Sequence, residues 1–354
     1  MAPVRNSRVL FNSIPEGTRA SRRCCNKIIG YPVLGETLLV DHAKTIDLDT
    51  VSLEGGKVLV KTVAISIDPF LRLHMSRSGR HHGTAYHLGE TIYNFQVVKV
   101  LRSGRDLFKP GQHLYGVGDF VEYQVLSDPS KWTALPEEQS IPWSVYLGAA
   151  GMPGKTAYFG WKVGANAKKG ETIYVSTAAG AVGSMVVQLA KAAGLKVIAS
   201  AGQEAKLEFL RELGADVVFN YKTTDLANVL EEHGPLDICW DHVGGDTLAT
   251  VISNMKDFGR ILVMGFTAAY NAPPASVTNL GLVLVKRLTL RGIAVGDHEA
   301  QYAEEFYATV PAKLAKGELK YKETVVRSLD EVPQLFIDVQ KGNNTGKAVV
   351  VLDD

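Results

Sequence analysis

The feature that most restricts the fold of this chain is a regular alternation of short apolar and amphipathic segments after residue 170. Short apolar runs predict strands at 172–176, 196–200, 216–219, 236–240, 260–264 and 289–295. Segments with helical periodicity separate the first five of them, at 183–193, 203–213, 225–232 and 246–255. Alternation at this spacing is typical of an α/β domain with a doubly wound parallel sheet.

The loop between the first strand and the first helix carries two glycines. Residues 176–183 read Ser-Thr-Ala-Ala-Gly-Ala-Val-Gly, so alanine stands where the dinucleotide-binding fingerprint has its first glycine. Gly180 would let the backbone approach a pyrophosphate, and Gly183 would let the helix pack closely on the sheet. With Ala181 and Val182 they precede a helix whose N-terminus favours phosphate. The loop predicts a dinucleotide site, and the alternative is a tight turn without a ligand.

The end of the second strand indicates which dinucleotide binds. Folds that prefer NAD place an acidic residue there, about 20 residues after the loop, to bind the ribose hydroxyls. Residues 197–202 contain no acid, and Lys206 follows at the start of the next helix. A missing carboxylate and a nearby cation favour the 2′-phosphate of NADP(H), unless Lys206 is only a solvated helix residue.

The remaining sequence predicts a second, β-rich domain. Alternating or apolar stretches predict strands at 57–67, 91–101 and 120–126, and Gly, Pro and Asn punctuate the gaps. After a helix at 299–316, strands at 321–326 and 347–352 flank a helix at 330–341. A length of 354 residues indicates two domains. We place the β-rich domain at 1–147 and 317–354, and the nucleotide-binding domain at 148–316.

Composition excludes several kinds of protein. Lys and Arg number 38 and Asp and Glu 37, so no basic excess indicates a nucleic-acid partner. Cys24, Cys25 and Cys239 are too few for a disulfide framework or a Cys₄ zinc site, and no histidine pair has a recognisable metal-site context. The longest uncharged run, 261–285, contains prolines and asparagines, which argues against a membrane span. We expect a cytoplasmic, metal-free protein, although the arginine-rich start could instead be a mitochondrial presequence.

Six segments along the chain carry a family resemblance. They are Ser-Ile-Asp-Pro-Phe-Leu-Arg at 66–72, Gly-Met-Pro-Gly-Lys-Thr-Ala-Tyr-Phe at 151–159, Ala-Ala-Gly-Ala-Val-Gly-Ser at 178–184, Phe-Asn-Tyr-Lys at 219–222, Val-Gly-Gly at 243–245 and Gly-Asn-Asn-Thr-Gly-Lys at 342–347. Together they resemble the zinc-independent medium-chain dehydrogenases/reductases, in the branch of prostaglandin and leukotriene reductases, alkenal double-bond reductases and curcumin-reductase-like enzymes. The resemblance implies a Rossmann domain with NADP(H), a GroES-like catalytic domain and a homodimer.

The resemblance also implies roles for individual residues. Lys206 and Tyr221 would contact the 2′-phosphate region, and Asn344 the nicotinamide side, while residues 180–183 would hold the pyrophosphate. His242 stands where the family has asparagine before Val-Gly-Gly. It is predicted to bind the cofactor, although the departure leaves that contact in doubt.

The implied activity is NADPH-dependent reduction of the C=C bond of α,β-unsaturated aldehydes or ketones. Hydride adds to the β-carbon, so charge develops on the carbonyl oxygen, and a hydrogen-bond donor there lowers the barrier. Tyr270, which matches the family's active-site tyrosine, is predicted to stabilise the enolate or supply a proton. Its alternative role is packing over the nicotinamide. Met152, Tyr86 and Tyr93 are predicted pocket walls, between the two domains.

Three other functions remain open on the sequence. The chain could be a quinone reductase, a trans-acting enoyl reductase of a biosynthetic pathway, or an NADPH-binding protein without turnover.

Removing residues 18–30 would make the N-terminal sequence more similar to that of the family, so we hypothesise that this stretch is an insertion.

Overall fold

The computed structural model describes residues 2–15, 30–76, 85–136, 140–273 and 276–352. The chain divides into two units, one formed by 1–147 with 323–354 and the other by 148–322. The return to the first unit therefore comes at 323 rather than at the predicted 317. The reason lies at Lys320, whose backbone N–H donates to Gln188 Oε1 at 2.8 Å and whose carbonyl accepts from Gln188 Nε2 at 2.9 Å. Cys24, Cys25 and nearly all of the proposed insertion lie outside the described residues.

The first unit contains most of its strands before residue 147. They are β1 (Val4–Arg5), β2 (Arg8–Phe11), β3 (Leu38–Asp41), β4 (Thr45–Ile46), β5 (Val58–Ile67), β6 (Tyr93–Ser103), β7 (His113–Asp119), β8 (Tyr123–Leu126) and β9 (Thr133–Ala134), with helix α1 (Leu71–His74) after β5. Only the second half of the predicted strand 120–126 is a strand. The unit ends with β16 (Glu323–Val326), α9 (Val332–Lys341) and β17 (Lys347–Val351).

Seven described strands of the first unit build a sheet in the order β16-β17-β5-β6-β7-β9, with β8 also paired to β5, while β1 pairs with β4 and β2 with β3 in two small sheets. β17 is antiparallel to β5, with Val350 opposite Ile65. Although the sequence of β5 alternates, nearly all its residues are buried, including Thr62 and Ser66, since the strand lies in the middle of the sheet. Phe11, Phe120 and Phe336 anchor a core that joins this sheet to α9.

The second unit alternates strands and helices, as the sequence predicts. In chain order they are α2 (Met152–Gly160), β10 (Thr172–Val175), α3 (Ala181–Ala192), β11 (Lys196–Ala201), α4 (Glu204–Glu212), β12 (Val217–Asn220), α5 (Leu226–His233), β13 (Leu236–Asp241), α6 (Gly245–Asn254), β14 (Met255–Val263), α7 (Gly281–Val285), β15 (Thr289–Gly292) and α8 (Glu299–Ala315). β14 begins well before the predicted 260, because Met255 already pairs with Leu236 ahead of an irregularity in the register.

The sheet of the second unit is parallel throughout its described strands, in the order β12-β11-β10-β13-β14-β15. This is the strand order of a doubly wound dinucleotide-binding fold, in which the order reverses between β10 and β13. Strand and helix residues such as Ile198, Val251 and Ile261 share one fully buried core. None of the helices in the described ranges is long and apolar enough to cross a membrane.

Candidate functional site

The carboxyl ends of the parallel strands bring five loops to one edge of the sheet in the second unit. These loops follow β10, β11, β12, β13 and β14, and they begin at residues 176, 202, 221, 242 and 264. Ligands of open α/β sheets bind at this edge, where the strand order reverses. The edge therefore brings together every site residue that the sequence predicts between 176 and 270.

The two glycines of the loop after β10 differ in how tightly the surrounding backbone restricts them. A Cβ at Gly183 would lie 2.7 Å from Ala178 Cα and 2.8 Å from the carbonyl oxygen of Thr177. A Cβ at Gly180 would meet only the Thr177 oxygen, at 3.2 Å. Gly180 is the N-cap of α3, so Ala181 and Val182 contribute first-turn N–H groups that have no partner within the helix. Gly183 is explained by packing, and Gly180 leaves these donors open to an anion.

A basic cluster lies at the ends of β11 and β12. The side chain of Tyr221 lies over Gly202, where a Cβ would be 2.9 Å from the Tyr221 hydroxyl and 2.8 Å from Lys222 Cε. Lys206 on α4 is buried, and burial together with the charge of Lys222 lowers its pKa to about 8. Two like charges held near each other favour an anionic ligand, because a phosphate would relieve their repulsion. Lys206 and Tyr221 thus both follow strand ends at this edge of the sheet, and their contact with a 2′-phosphate stays a prediction.

His242 is bonded to the protein through both ring nitrogens. Trp240 Nε1 donates to His242 Nε2 at 3.1 Å, and His242 Nδ1 lies 2.9 Å from the carbonyl oxygen of Ser176. The backbone N–H of His242 also donates to Ser176 Oγ at 2.9 Å. Burial lowers the pKa of the imidazole, in keeping with a neutral ring. The ring therefore joins the ends of β10 and β13, and neither nitrogen is left for the predicted side-chain contact with a cofactor.

Asp241, one residue earlier, shapes the turn after β13. Its carboxylate accepts the backbone N–H groups of Val243 at 3.0 Å and Gly244 at 3.1 Å. Burial raises the pKa of this carboxyl, while these hydrogen bonds favour the charged form. Gly244 has φ 72° and ψ −160°, a conformation that only glycine adopts readily. The Val-Gly-Gly motif is therefore a turn fixed by Asp241, which the sequence analysis did not identify.

The segment that carries Tyr270 is attached to the same turn. Met264, Thr267 and Ala268 donate backbone hydrogen bonds to the carbonyl oxygens of residues 241, 242 and 243 at 2.8, 3.0 and 3.1 Å. Tyr270 follows a short 3₁₀ turn and is buried, with its ring edge-on to Phe266 at a centroid distance of 5.2 Å. The predicted catalytic tyrosine is thus held at the same sheet edge as the glycine loop.

Met152 begins α2 and is partly buried. The Thr156 hydroxyl donates to its carbonyl oxygen at 2.9 Å and lies 3.5 Å from its sulfur. The glycine that follows in the motif has a packing role, because a Cβ at Gly154 would lie 1.9 Å from the carbonyl oxygen of Ala149. The pocket-wall role of Met152 stays a prediction.

The remaining predicted site residues lie in the first unit. Tyr86 belongs to its core, where the hydroxyl donates to the Tyr93 carbonyl oxygen at 2.8 Å and the ring stacks on His74 at 5.2 Å. That ring is 6% exposed, so the structure favours a packing role over the predicted wall. Tyr93 is partly buried against it at a centroid distance of 5.1 Å. Asn344 Nδ2 donates to the Gly346 carbonyl oxygen at 2.9 Å, which shapes the loop before β17.

Sequence reasoning missed a buried polar cluster in the first unit. Lys347 Nζ lies 2.9 Å from Asp68 Oδ1 and donates to the Ile67 carbonyl oxygen at 2.6 Å. Asp68 Oδ2 accepts from Asn94 Nδ2 at 2.9 Å and from Ser66 Oγ. The sequence does show polar residues in two of the family segments, at 66–72 and 342–347. It does not show that residues of these two segments pair with each other.

No three His, Cys, Asp or Glu side chains in the described ranges come together as a metal site would require. Cys24, Cys25, His81 and His82 lie outside those ranges, so the metal-free site stays a prediction.

Comparison with known proteins gives consistent matches. Residues 41–135 match a family model described as the N-terminal domain of oxidoreductase, and residues 181–310 one described as zinc-binding dehydrogenase. A zinc-type alcohol dehydrogenase-like protein of Schizosaccharomyces pombe is 39% identical, over 92% of this chain and 95% of its own. The NADP⁺-dependent 2-alkenal reductase of Nicotiana tabacum is 34% identical over the same shares. The crystal structure of CurA from Vibrio vulnificus in complex with NADPH superimposes with a TM-score of 0.86 at 28% identity, covering 98% of this chain and 99% of that one.

Proposed function

This chain belongs to the zinc-independent medium-chain dehydrogenases/reductases, in the branch of alkenal and prostaglandin reductases, and on that premise we propose that it reduces the C=C bond of α,β-unsaturated aldehydes or ketones with NADPH. Its relatives of known activity include a 2-alkenal reductase and a (+)-pulegone reductase, both at about a third identity. It is an NADP-dependent oxidoreductase acting on CH–CH groups.

The residues at the sheet edge fit NADP(H). Packing restricts Gly180 much less than Gly183, and a ligand that approaches the backbone at the N-terminus of α3 would account for its lack of a side chain. Lys206 and Lys222 supply positive charge at the end of β11, where NAD-binding folds have a carboxylate. Residues 180–183 would hold the pyrophosphate, and Lys206 with Tyr221 the 2′-phosphate.

When bound, NADPH supplies the hydride that adds to the β-carbon of the substrate. The chain's own task is to stabilise negative charge on the carbonyl oxygen and to deliver a proton to the α-carbon. Tyr270 suits this task because a phenol donates a hydrogen bond at neutral pH. A buried donor on a segment fixed by three backbone hydrogen bonds needs little reorganisation during the reaction.

One observation carries the proposal: the glycine loop and Tyr270 lie at the same edge of one parallel sheet and are joined through residues 241–243. A dinucleotide site alone would also suit a protein that binds NADPH without turnover. A tyrosine held beside the same turn supports a reaction at that site. The roles of Met152 and Tyr93 in substrate binding and of Asn344 in cofactor binding stay predictions.

The test is NADPH oxidation by the purified full-length protein against simple enals, enones, quinones and a carrier-bound enone, with NADH as comparison. We expect turnover of enals or enones, identification of the saturated carbonyl product, and a preference for NADPH. Quinones alone as substrates would indicate a quinone reductase, and a carrier-bound enone alone a trans-acting enoyl reductase. Tight NADPH binding without any turnover would contradict an enzymatic role.

A homodimer is the proposed assembly. β15 is an outer strand in the order of the described sheet, and exposed edge strands are templates for pairing with another chain. Apolar side chains lie exposed on and near the neighbouring α7, namely Leu280, Leu284, Val285 and Phe258. Light scattering of the wild-type protein and of Leu284→Glu would test this, with the variant expected to shift toward monomer. The cytoplasmic location stays a prediction.

A further inference from the structure

The imidazole of His242 contacts an obligate donor and an obligate acceptor. The indole N–H of Trp240 can only donate, so His242 Nε2, 3.1 Å away, must carry a lone pair. The carbonyl oxygen of Ser176 can only accept, so His242 Nδ1, 2.9 Å away, must carry the proton. Together the two contacts allow only the neutral ring with its proton on Nδ1.

His242 connects the two halves of the candidate site. Its ring Nδ1 and its backbone N–H both contact Ser176, the residue that follows β10 at the start of the glycine loop. Through its own carbonyl oxygen His242 accepts the N–H of Thr267, in the segment that leads to Tyr270. The residue therefore lies between the start of the phosphate loop, which its ring and backbone contact, and the segment that leads to Tyr270, which only its backbone contacts.

We propose that His242 is a positioning residue: a neutral, Nδ1-protonated imidazole that clamps the ends of β10 and β13, holds the start of the glycine loop for NADPH, and releases it when acid protonates the ring. The inference rests on the proposed cofactor site. It assigns His242 an indirect role, in place of a direct contact with the cofactor.

Protonation breaks the clamp for a geometric reason. A second N–H on His242 would point at the N–H of Trp240, so two donors would face each other in a buried place. Trp240 cannot move away easily, since it is fully buried and a Cβ at Gly160 would lie 2.6 Å from its ring.

The charged neighbour of the ring is Asp241, which favours the protonated form but is itself bonded to the N–H groups of Val243 and Gly244. The contacts described from β10 and from the end of β14 come from Ser176 and Thr267, which do not titrate. Burial outweighs Asp241 and lowers the pKa of His242, so release falls on the acid side of the ordinary histidine range.

The first test reads the tautomer directly. Long-range ¹H–¹⁵N spectra of the ¹⁵N-histidine-labelled protein distinguish protonated from unprotonated ring nitrogens, and the signal missing in His242→Ala assigns the residue. We expect a protonated Nδ1 and an unprotonated Nε2 at pH 7.5, whether or not NADPH is present. A proton on Nε2 at that pH would overturn the clamp.

The second test measures NADPH dissociation constants of the wild-type protein and of His242→Ala from pH 8 down to pH 5. We expect the variant to bind about tenfold more weakly at high pH, as for the loss of one or two buried hydrogen bonds. The ratio of the two constants should fall toward one in acid, because the wild-type clamp then opens as well. Titration of the cofactor's own phosphates cancels in this ratio. A ratio near one at every pH, or one that does not change, would overturn the proposal.

The matched control is His233→Ala, a histidine of the same unit whose side chain meets Glu232 at 3.5 Å, away from the strand ends. It should match the wild-type NADPH dissociation constants at every pH.

A rescue experiment distinguishes the clamp from simple destabilisation of the fold, because destabilisation alone would not be reversed by a second substitution. His242→Asn leaves the Trp240 N–H without its acceptor, so adding Trp240→Phe should restore part of the affinity lost in His242→Asn; a further loss would count against the clamp.

A failure of the proposed reductase activity can be distinguished from a failure of the His242 proposal. It would show as a wild-type protein that binds NADPH but turns over no enone, and neither the tautomer nor the ratio of binding constants depends on turnover.

Discussion

Lys347 Nζ lies 2.9 Å from Asp68 Oδ1, and both side chains are almost completely buried. The pair joins the beginning of β17 to the segment that follows β5, two parts of the chain separated by the whole nucleotide-binding unit. Asn94 and Ser66 saturate the other carboxylate oxygen. The Asn344 loop ends beside this pair, so its position depends on a buried charge interaction.

Breaking the Asp68–Lys347 pair should destabilise the protein strongly. Asp68→Asn leaves a buried ammonium without its carboxylate, which costs about 3–5 kcal/mol of unfolding free energy. The double variant Asp68→Asn with Lys347→Met should recover much of the loss, because neither charge is then buried. Chemical denaturation of the wild type, Asp68→Asn, Lys347→Met and the double variant measures this coupling. If the double variant loses as much unfolding free energy as the two single variants together, the two residues are not coupled and the prediction is wrong.

Lys206 should make NADPH binding weaken in alkaline solution. Its pKa is about 8 without a bound phosphate, and only the protonated form attracts one. A bound 2′-phosphate raises that pKa, so affinity is highest below about pH 8 and falls as the pH rises through that value. Titration by fluorescence between pH 7 and 9.5 checks it. NADH, which lacks the phosphate, should show no such fall, and Lys206→Met should remove it.

The two loop glycines should separate folding from binding. Gly183→Ala places a methyl group against the backbone of Ala178 and should lower the unfolding free energy by about 1–3 kcal/mol. Gly180→Ala places its methyl group only 3.2 Å from the Thr177 carbonyl oxygen and needs a small shift of the loop, so its melting temperature should fall less than that of Gly183→Ala. It should nevertheless bind NADPH about tenfold more weakly, which corresponds to about 1.4 kcal/mol. Unchanged affinity in Gly180→Ala would show that the backbone there does not meet the cofactor.

Tyr270→Phe should affect turnover and leave cofactor binding alone. Removal of one donor to a developing oxyanion lowers kcat by about a hundredfold. The phenyl ring keeps the edge-on contact with Phe266, so the loop and the NADPH dissociation constant should change little. Steady-state kinetics on an enone, with the NADPH constant measured separately, test this. A wild-type kcat in the variant would remove Tyr270 from the chemistry.

Local pattern was enough to predict the architecture of the second unit. Alternating strands and helices with short connections have one common solution, the doubly wound parallel sheet, and β10 to β15 form it in the expected order. Gly183 and Lys206 could be selected because each stands at a fixed place relative to a strand end, whereas Tyr221 and Tyr270 were selected through the family resemblance. The predicted ends of strands and helices were less accurate. At β14, for example, pairing with β13 extends the strand beyond its apolar run.

Contacts between distant residues were not accessible to such patterns. The sequence marks His242 as a departure from the family, but only the fold places its ring between Trp240 and Ser176, 66 positions earlier in the chain. It likewise gives no sign that Lys347 pairs with Asp68, 279 positions away.

The sequence by itself determined the fold class, the glycine loop and the cofactor, because periodicity and local spacing act over a few residues. The tertiary structure alone decided which polar groups are buried together, and hence the tautomer of His242, the lowered pKa of Lys206 and the core position of Tyr86. These properties follow from desolvation and from the direction of hydrogen bonds, which exist only once the chain has folded.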